Sequence, residues 1–266
     1  MKKVYFDNAA TTQIRNEVVI CISEVLKTEF GNPSSTHSYG RSSKSLLENA
    51  RKEIAGLLNV TASEIIFTSG GTEADNLVLT SCVRDLGVKR VITSPIEHHA
   101  VLHTLEWLQK AYGIEIEYVK LDDCGLVDYE NLETLLKDTS KKTLVSLMHV
   151  NNEVGNILDL KKVALLCKEY DALFHSDTVQ SMASYEFDFK DIPLDFAVAS
   201  AHKFHGAKGS GFAFIRKNSG LRPLIHGGEQ ERGMRAGTES VHCIAGMAEA
   251  FKIAYRNFDQ ERAYIS

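Results

Sequence analysis

The sequence lacks several features that define specialised classes of protein. No uninterrupted apolar run approaches the roughly 20 residues that a membrane-spanning helix needs. Lys2 and Lys3 stand near the start, but no apolar stretch follows them, so we expect no signal peptide. Positive charge is not in excess either, since 30 lysine and arginine residues face 35 aspartate and glutamate residues, a net charge of −5. This balance argues against nucleic acid or an anionic membrane as the main partner.

Cysteine is sparse, and its spacing shows no pairing. The five cysteines contain no CxxC pair, and they are Cys21, Cys82, Cys124, Cys167 and Cys243. An odd number without paired spacing is typical of reduced thiols and argues against a disulfide framework or a zinc ribbon. We therefore expect a cytoplasmic protein.

What the sequence does contain is an alternation of β-rich and helical segments, within an ordinary composition of 44% hydrophobic and 24% charged residues. The predicted strands are 64–68, 90–93, 114–121, 143–150, 172–175, 194–199 and 211–215. The predicted helices are 72–83, 99–112, 129–137, 160–170 and 241 to about 257. This alternation predicts an α/β fold, a three-layer, mostly parallel sheet with helices on both faces.

Small and polar residues follow five of the predicted strands. They occupy positions 69–73, 94–99, 151–153, 176–180 and 200–203. In an open parallel sheet, ligands bind beyond the carboxyl ends of the strands, so together these residues predict a binding site. Gly70, Gly71 and Thr72 open a helix and can present backbone N–H groups to an anion. Considered alone, a capped turn is the commoner explanation of such a sequence.

Asp177 and Lys203 are the two charged residues of most interest at these strand ends. Asp177 follows an apolar run, and a buried carboxylate needs a cationic or hydrogen-bonding partner. Lys203 stands where partial burial can lower its pKa and make the amine nucleophilic. A capping aspartate and a solvated lysine are the ordinary alternatives for each residue taken singly.

A series of sequence blocks, in order along the chain, carries a family resemblance. The blocks are 5–12 (YFDNAATT), 30–37 (FGNPSSTH), 67–76 (FTSGGTEADN), 97–100 (EHHA), 149–155 (HVNNEVG), 177–181 (DTVQS), 200–206 (SAHKFHG) and 227–238 (GGEQERGMRAGT). The chain resembles the class V, fold-type I pyridoxal-phosphate enzymes, and most closely the cysteine desulfurases. The resemblance implies an enzyme that binds pyridoxal 5′-phosphate (PLP).

The resemblance assigns five residues to the reacting part of the cofactor. Lys203 would form the Schiff base with PLP, and Asp177 would pair with the protonated pyridine nitrogen. Gln180 would hydrogen-bond the phenolic oxygen. His98 would stack on the ring and assist proton transfer. Asn152 would contact the cofactor oxygen or the substrate carboxylate.

A second group of residues is assigned to the phosphate. Gly71, Thr72, Ser200 and His202 would bind the phosphate of the cofactor. Thr238 resembles a residue that contacts the phosphate of the partner subunit, so the resemblance also implies a homodimer. It implies no metal ligand.

The implied reaction converts L-cysteine to L-alanine and leaves the sulfur as a persulfide on a cysteine of the enzyme. The sulfur would then pass to an acceptor or scaffold protein for iron–sulfur cluster assembly or tRNA thiolation. The resemblance places residues 1–14 in a small domain and residues 15–266 in a large PLP-binding domain. The rest of the small domain and the loop with the nucleophilic cysteine are not found in this sequence. We therefore expect the 266 residues alone to be inactive or weakly active.

Three alternatives remain open from the sequence. One is another class V aminotransferase or a lyase acting on selenocysteine or a β-substituted amino acid. A metal-dependent hydrolase is a second, because His99 and His103 are four residues apart and His175 alternates with Asp177. No third ligand completes either pair, however. The third is a PLP-binding remnant without turnover.

Overall fold

A seven-stranded sheet organises the chain in the computed structural model, which describes residues 3–265. Residues 1, 2 and 266, which the expected domain boundaries include, lie outside the described residues. The strands are β1 (Ile65–Thr68), β2 (Arg90–Thr93), β3 (Glu115–Tyr118), β4 (Thr143–Ser146), β5 (Leu173–Asp177), β6 (Phe196–Ser200) and β7 (Gly211–Ile215). Their order across the sheet is β1-β7-β6-β5-β4-β2-β3.

The strand directions bring six carboxyl ends to one edge of the sheet. From β6 to β3 every neighbouring pair is parallel, whereas β7 is antiparallel to both β1 and β6. Because β7 reverses direction between them, β1 points the same way as β6. The carboxyl ends of all the strands except β7, which are β1, β2, β3, β4, β5 and β6, therefore lie at what we call the carboxyl edge. The predicted mostly parallel α/β sheet is confirmed.

Helices cover both faces of the sheet, since successive strand side chains point to opposite sides. Helices α3 (Gly71–Arg84) and α4 (His99–Tyr112) pack on the face that carries Val91 and Leu144. The opposite face, with Ile92 and Val145, is covered by a larger set of helices. These are α1 (Asn16–Thr28), α2 (Ser38–Leu57), α5 (Tyr129–Leu136), α6 (Leu160–Glu169) and α7 (Val241–Arg256). A last helix, α8 (Phe258–Ile265), follows α7.

The structure differs from the sequence prediction mainly in the first sixty residues. Two helices there, α1 and α2, were not predicted, and they flank the loop at 31–37. Helix α2 begins after His37, whose ring accepts a hydrogen bond from the Gly40 amide at 3.3 Å. Strand β4 is shorter than predicted and ends at Ser146, opposite Thr93, the last residue of β2. In the part of the chain described here, no helix is both long and apolar enough to cross a membrane.

Candidate active site

A cavity of about 770 Å³ opens at the carboxyl edge of the sheet. Nine of the ten residues that the resemblance singles out line this cavity. They are Gly71, Thr72, His98, Asn152, Asp177, Gln180, Ser200, His202 and Lys203. The fold therefore brings together residues that are up to 132 positions apart in the chain because each follows the end of a neighbouring strand.

The start of helix α3 forms one wall of the cavity. Gly71 packs so closely against Val179 that a Cβ atom there would lie 2.5 Å from the Val179 Cγ2 atom. A side chain at this position would thus force the helix away from the loop after β5. The close approach leaves the first backbone N–H groups of α3 facing the cavity beside Thr72 and Ser200, which suits an anion.

Lys203 lies in the single helical turn that follows β6. Its half-buried amine donates a hydrogen bond to the backbone carbonyl of Ala9. Burial lowers the pKa of Lys203, and the negative charges of Asp177 and Asp7 partly oppose this effect. The amine is thus closer to its neutral, nucleophilic form than an ordinary lysine.

Asp177 ends strand β5 and is 4% exposed. Burial raises the pKa of its carboxyl, while three contacts act in the opposite direction. These are the Val179 amide, which donates to Oδ1 at 2.9 Å, and the charges of His98 and Lys203. The side chain can therefore hold a negative charge at the bottom of the cavity.

The N-terminal segment closes part of the cavity. The Ala9 carbonyl accepts a second hydrogen bond, from Gln180 Nε2 at 2.9 Å. Thr12 is tied to the loop after β6, since its amide and hydroxyl both donate to the His202 carbonyl at 2.9 Å. The resemblance assigns Lys203 and Gln180 to the cofactor, but in this structure both side chains already donate hydrogen bonds to the N-terminal segment.

His98 and Asn152 stand at the rim. His98 caps helix α4, and its Nδ1 accepts a hydrogen bond from the Ala100 amide at 3.1 Å. In its neutral form the imidazole therefore carries its proton on Nε2. Asn152 Nδ2 donates to Glu153 Oε1 at 2.7 Å.

His202 stands against the N-terminal segment. Its Nδ1 lies 3.1 Å from the Thr11 hydroxyl. Burial lowers the pKa of His202, and the positive charges of Lys203 and Lys208 lower it further. An anion bound beside this ring would oppose that shift and favour the protonated imidazole.

Several residues that shape the site received no individual role from the sequence, although Asn151 and Glu97 stand in segments that were predicted to form a binding site. Asn151 fixes the rim, because its Nδ2 donates to the Ile96 carbonyl at 2.7 Å and its Oδ1 accepts from the Val154 amide at 2.9 Å. Asp75 lines the cavity as well, four residues after Gly71, and helical periodicity places these two residues on one face of α3. That spacing was a signal in the sequence that could have identified Asp75.

Glu97 is a second acid that received no individual role from the sequence. Its Oε1 accepts hydrogen bonds from the Ser94 hydroxyl at 2.7 Å and the Met148 amide at 3.1 Å. Burial raises the pKa of Glu97 to about 8 despite these bonds. Its position next to His98 in the sequence was the available signal.

Thr238 does not line the large cavity. It is exposed and borders a smaller cavity of about 120 Å³ with Ser69 and Arg235. The segment around it is held against helix α3 by the ion pair of Arg235 Nε with Glu73 Oε1 at 2.8 Å. A contact from Thr238 to the cofactor of a partner subunit stays a prediction.

No cysteine is found among the described residues that line the large cavity. Cys82 and Cys167 are buried, and burial raises the pKa of both thiols. Cys21 is half-buried, and burial and nearby Glu249 raise its pKa. Cys124 is exposed in a turn, where its amide donates to Asp122 Oδ1 at 2.8 Å.

The geometry gives the metal-dependent hydrolase alternative no support. The rings of His99 and His103 stack on each other, with centroids 4.8 Å apart. His175 faces Asp75 and not Asp177, although both His175 and Asp177 belong to β5. Within residues 3–265, no group of three or more histidine, cysteine, aspartate or glutamate side chains is placed to hold a metal ion.

Comparison with known proteins gives a consistent family. Residues 4–264 match the family described as Aminotransferase class-V. Cysteine desulfurase IscS of Dictyoglomus turgidum is 44% identical over 263 residues, which are 98% of this chain and 66% of that protein. The putative cysteine desulfurase IscS 1 of Bacillus subtilis is 42% identical, covering 98% of this chain and 69% of that protein.

Solved structures agree with these relatives. A NifS-like protein superposes with a TM-score of 0.93 at 40% identity, covering 97% of this chain and 71% of that one. The NifS-like protein of Rickettsia africae gives a TM-score of 0.89 at 36% identity, again over 97% and 71% of the two chains. The chain spans about two thirds of the length of the curated relatives it matches. The chain belongs to the cysteine desulfurase family of the class V aminotransferases.

Proposed function

We propose that this chain binds PLP in the cavity at the carboxyl edge and acts in the desulfuration of L-cysteine. The family is one of PLP-dependent enzymes. The observation that carries the proposal is the convergence of Lys203, Asp177 and the start of helix α3 on one cavity. An amine, a buried carboxylate and a backbone anion site at three strand ends match the aldehyde, the protonated ring nitrogen and the phosphate of this cofactor.

The residues present fit the group. The cavity, about 770 Å³, lies within the range of roughly 300–1,000 Å³ typical of cofactor sites. Asp177 would hold the proton of the ring nitrogen, because it is a buried acid that His98 and Lys203 favour in its ionised form. Gly71 and Thr72 would hold the phosphate at the helix N-terminus, together with Ser200 and His202.

When bound, PLP supplies an electron sink that weakens the bonds at the α-carbon of an amino acid. The chain supplies a lysine of lowered pKa to anchor it, and the Nε2 atom of His98 to move a proton at the rim. Gln180 would orient the phenolic oxygen, and Asn152 the substrate. Lys203 and Gln180 must first leave the Ala9 carbonyl, so we propose that the N-terminal segment shifts on cofactor binding.

The overall reaction needs a thiol that accepts sulfur. The carbon–sulfur bond of L-cysteine breaks, the sulfur bonds to the accepting thiolate, and a proton completes L-alanine. We propose that the accepting thiol is none of the five cysteines of this sequence, since none of the described cavity-lining residues is a cysteine. A persulfide acceptor or scaffold protein would be a further partner. The absence of any disulfide among the described cysteines fits the expected cytoplasmic location.

A homodimer is part of the proposal. Thr238 is exposed, and its segment is anchored to helix α3 by the ion pair of Glu73 with Arg235. An exposed hydroxyl on an anchored segment can reach a phosphate in a second copy of the chain. The homodimer and this contact are tested with the Thr238 variants described in the Discussion.

Reconstitution with PLP tests the proposed function. The purified 266-residue chain with PLP should show a visible absorption band that borohydride removes, and peptide mapping should find the reduced label on Lys203. Lys203→Ala should lose the band, whereas Lys217→Ala, an exposed lysine outside the cavity, should keep it. A label on another lysine, or no band, would contradict the proposal.

Turnover of L-cysteine tests the second part. We expect the loaded chain alone to give little alanine and little sulfide. Substantial turnover that Cys124→Ser removes would show that the one exposed cysteine among the described residues is the acceptor. Transamination of other amino acids without sulfur transfer would favour the aminotransferase alternative.

A further inference from the structure

Asp75 is a buried acid that no cation among residues 3–265 neutralises. The residue is 1% exposed and lines the cavity from helix α3. Its Oδ1 atom accepts no hydrogen bond in the described structure. Among residues 3–265, the one basic group within 4 Å is His175, whose Nε2 lies 3.3 Å from Asp75 Oδ1. Keeping a carboxylate ionised in this position would cost much free energy, because the charge is buried and unpaired.

His175 does not supply the missing positive charge. Its side chain is fully buried, and burial lowers the pKa of His175 to about 3. The other ring nitrogen, Nδ1, lies 2.9 Å from the Ser146 hydroxyl. The imidazole is therefore neutral near neutral pH, and it can offer Asp75 at most one uncharged N–H group.

Asp177 differs from Asp75 in what surrounds it. The Val179 amide and the charges of His98 and Lys203 all favour the ionised form of Asp177. For Asp75, burial raises the pKa well above its usual range, and the negative charges of Asp177 and Glu97 raise it further. Two buried carboxyl groups of one cavity that repel each other do not both ionise, so the proton goes to the one with less support.

We propose that Asp75 holds a proton in the resting protein, so that Asp75 and Asp177 together carry one negative charge, located on Asp177. Asp75 is then a positioning residue: because it stays protonated, Asp177 carries the one negative charge next to the bound ring. The charge count on the apoprotein follows from the residues alone. The role of this single negative charge, which is to pair with the one proton of the ring nitrogen of PLP, rests on the proposed function.

Infrared difference spectroscopy of the apoprotein tests where the proton is. Near neutral pH, the wild-type spectrum minus that of Asp75→Asn should contain the carbonyl stretch of a protonated carboxylic acid, shifted in heavy water. Glu97→Gln serves as a positive control, because Glu97 has a pKa of about 8 and should give its own band. A difference spectrum with carboxylate bands alone would overturn the proposal.

The pH dependence of stability gives a second, independent measurement. An acid whose pKa is raised in the folded state stabilises the fold below its unfolded pKa, and this stability is lost as pH rises towards the folded pKa. As pH rises from about 5 towards the raised folded pKa of Asp75, the unfolding constant of the wild type should therefore rise relative to that of Asp75→Asn by up to about tenfold per pH unit.

A matched exposed acid completes the design. Asp123 is exposed, so Asp123→Asn should follow the wild type at every pH. If Asp75→Asn follows the wild type as well, the proposal is wrong. The infrared measurements and the unfolding measurements in urea both use the apoprotein. Failure to bind PLP at Lys203 would therefore contradict the proposed function but not the proposed protonation of Asp75.

Discussion

Two buried clusters of ionisable side chains in this molecule are built in opposite ways. In the first, Arg51 and Glu231 form two parallel bonds of 2.7 and 2.8 Å, each side chain 1% exposed. Arg51 also donates to the Ile65 carbonyl at 2.7 Å, and Glu231 accepts from the Phe67 amide at 2.8 Å. In the second, of which Asp75 lines the cavity, Asp75 Oδ1, Glu97 Oε2 and His175 Nε2 have no hydrogen-bond partner among the described residues.

The difference distinguishes a structural ion pair from a binding site. We call the Arg51–Glu231 pair the tie. Buried polar groups are normally satisfied, so a cluster with several unsatisfied atoms calls for an explanation. The Arg51–Glu231 pair is complete and holds Glu231 and Arg232 in left-handed backbone conformations, with φ of 46° and 59°. The acid cluster is incomplete, and Asp75, its member that lines the cavity, stands where we propose that a cationic ring binds.

The largest expected effect is the loss of the tie. Arg51→Met leaves Glu231 buried without its cation, and breaking a buried pair in this way costs about 3–5 kcal/mol. We expect the free energy of unfolding in urea to fall by that amount. Arg232→Met is the matched control, because Arg232 pairs with Glu48 at the surface, with side-chain exposures of 40% and 31%. That loss should be below about 1 kcal/mol.

A double variant distinguishes charge from packing at the tie. Replacing both partners, as in Arg51→Met with Glu231→Leu, removes the unpaired charge and should recover part of the loss. No recovery would mean that the bonds to the Ile65 carbonyl and the Phe67 amide matter more than the charge pair. The comparison with the acid cluster would then rest on backbone bonds and not on charge.

An intermediate effect is expected on the acid side of the pH scale. His149 is buried against the rings of Tyr185 and Phe187, and burial lowers its pKa to about 4. Its folded pKa is below the unfolded value near 6.5, so the neutral ring stabilises the fold above that pH and the stability is lost as pH falls.

His149→Phe removes this titration and keeps a ring in place. Between about pH 6.5 and pH 4, the variant should lose less stability than the wild type, by up to about 1.4 kcal/mol per pH unit. Urea unfolding at several pH values measures the difference. Exposed His99 provides a control, because His99→Phe should leave the acid dependence unchanged. Parallel curves for the wild type and His149→Phe would contradict the expected titration of His149.

The sequence predicted the sheet well and the site in part. All seven strands and five of the helices lie where hydrophobic runs and periodicity placed them, although strands were up to four residues too long. Strand ends were the poorest boundaries because the last ladder bonds depend on where the neighbouring strand ends, as at β4. Helix α1 was missed, since its buried stripe is thin: Val18 and Val25 are buried, whereas Ile20 and Leu26 are more than half exposed.

The charge balance of the site could not be predicted in this way. That Asp75 meets His175 depends on the packing of helix α3 over β5, which no local pattern encodes. Likewise, the Ala9 carbonyl meets Lys203 and Gln180 across more than 170 residues. Motif resemblance identified nine residues that line the cavity, but only the structure shows that Asp75 lines it as well and lacks a cationic partner among the described residues.

The smallest effect on folding is expected at Thr238, which the tie holds in place. Thr238→Val should change the free energy of unfolding by less than about 0.5 kcal/mol, because the side chain is exposed. If its hydroxyl contacts the phosphate of PLP in a partner subunit, PLP affinity should fall about tenfold, as for the loss of one hydrogen bond to a charged group. Spectroscopic titration with PLP measures this, and Thr238→Ser, which keeps the hydroxyl, is the control.

Thr238→Val also tests whether the Arg51–Glu231 pair affects the binding of PLP. Because Glu231 anchors the segment that carries Thr238, Arg51→Met should already release that hydroxyl from a fixed position. Adding Thr238→Val to Arg51→Met should then lower PLP affinity by much less than tenfold, a non-additivity that a double-mutant cycle measures. The titrations must be made at protein concentrations above and below the dimer dissociation constant. An equal effect of Thr238→Val on monomer and dimer would show that Thr238 does not act across a subunit interface.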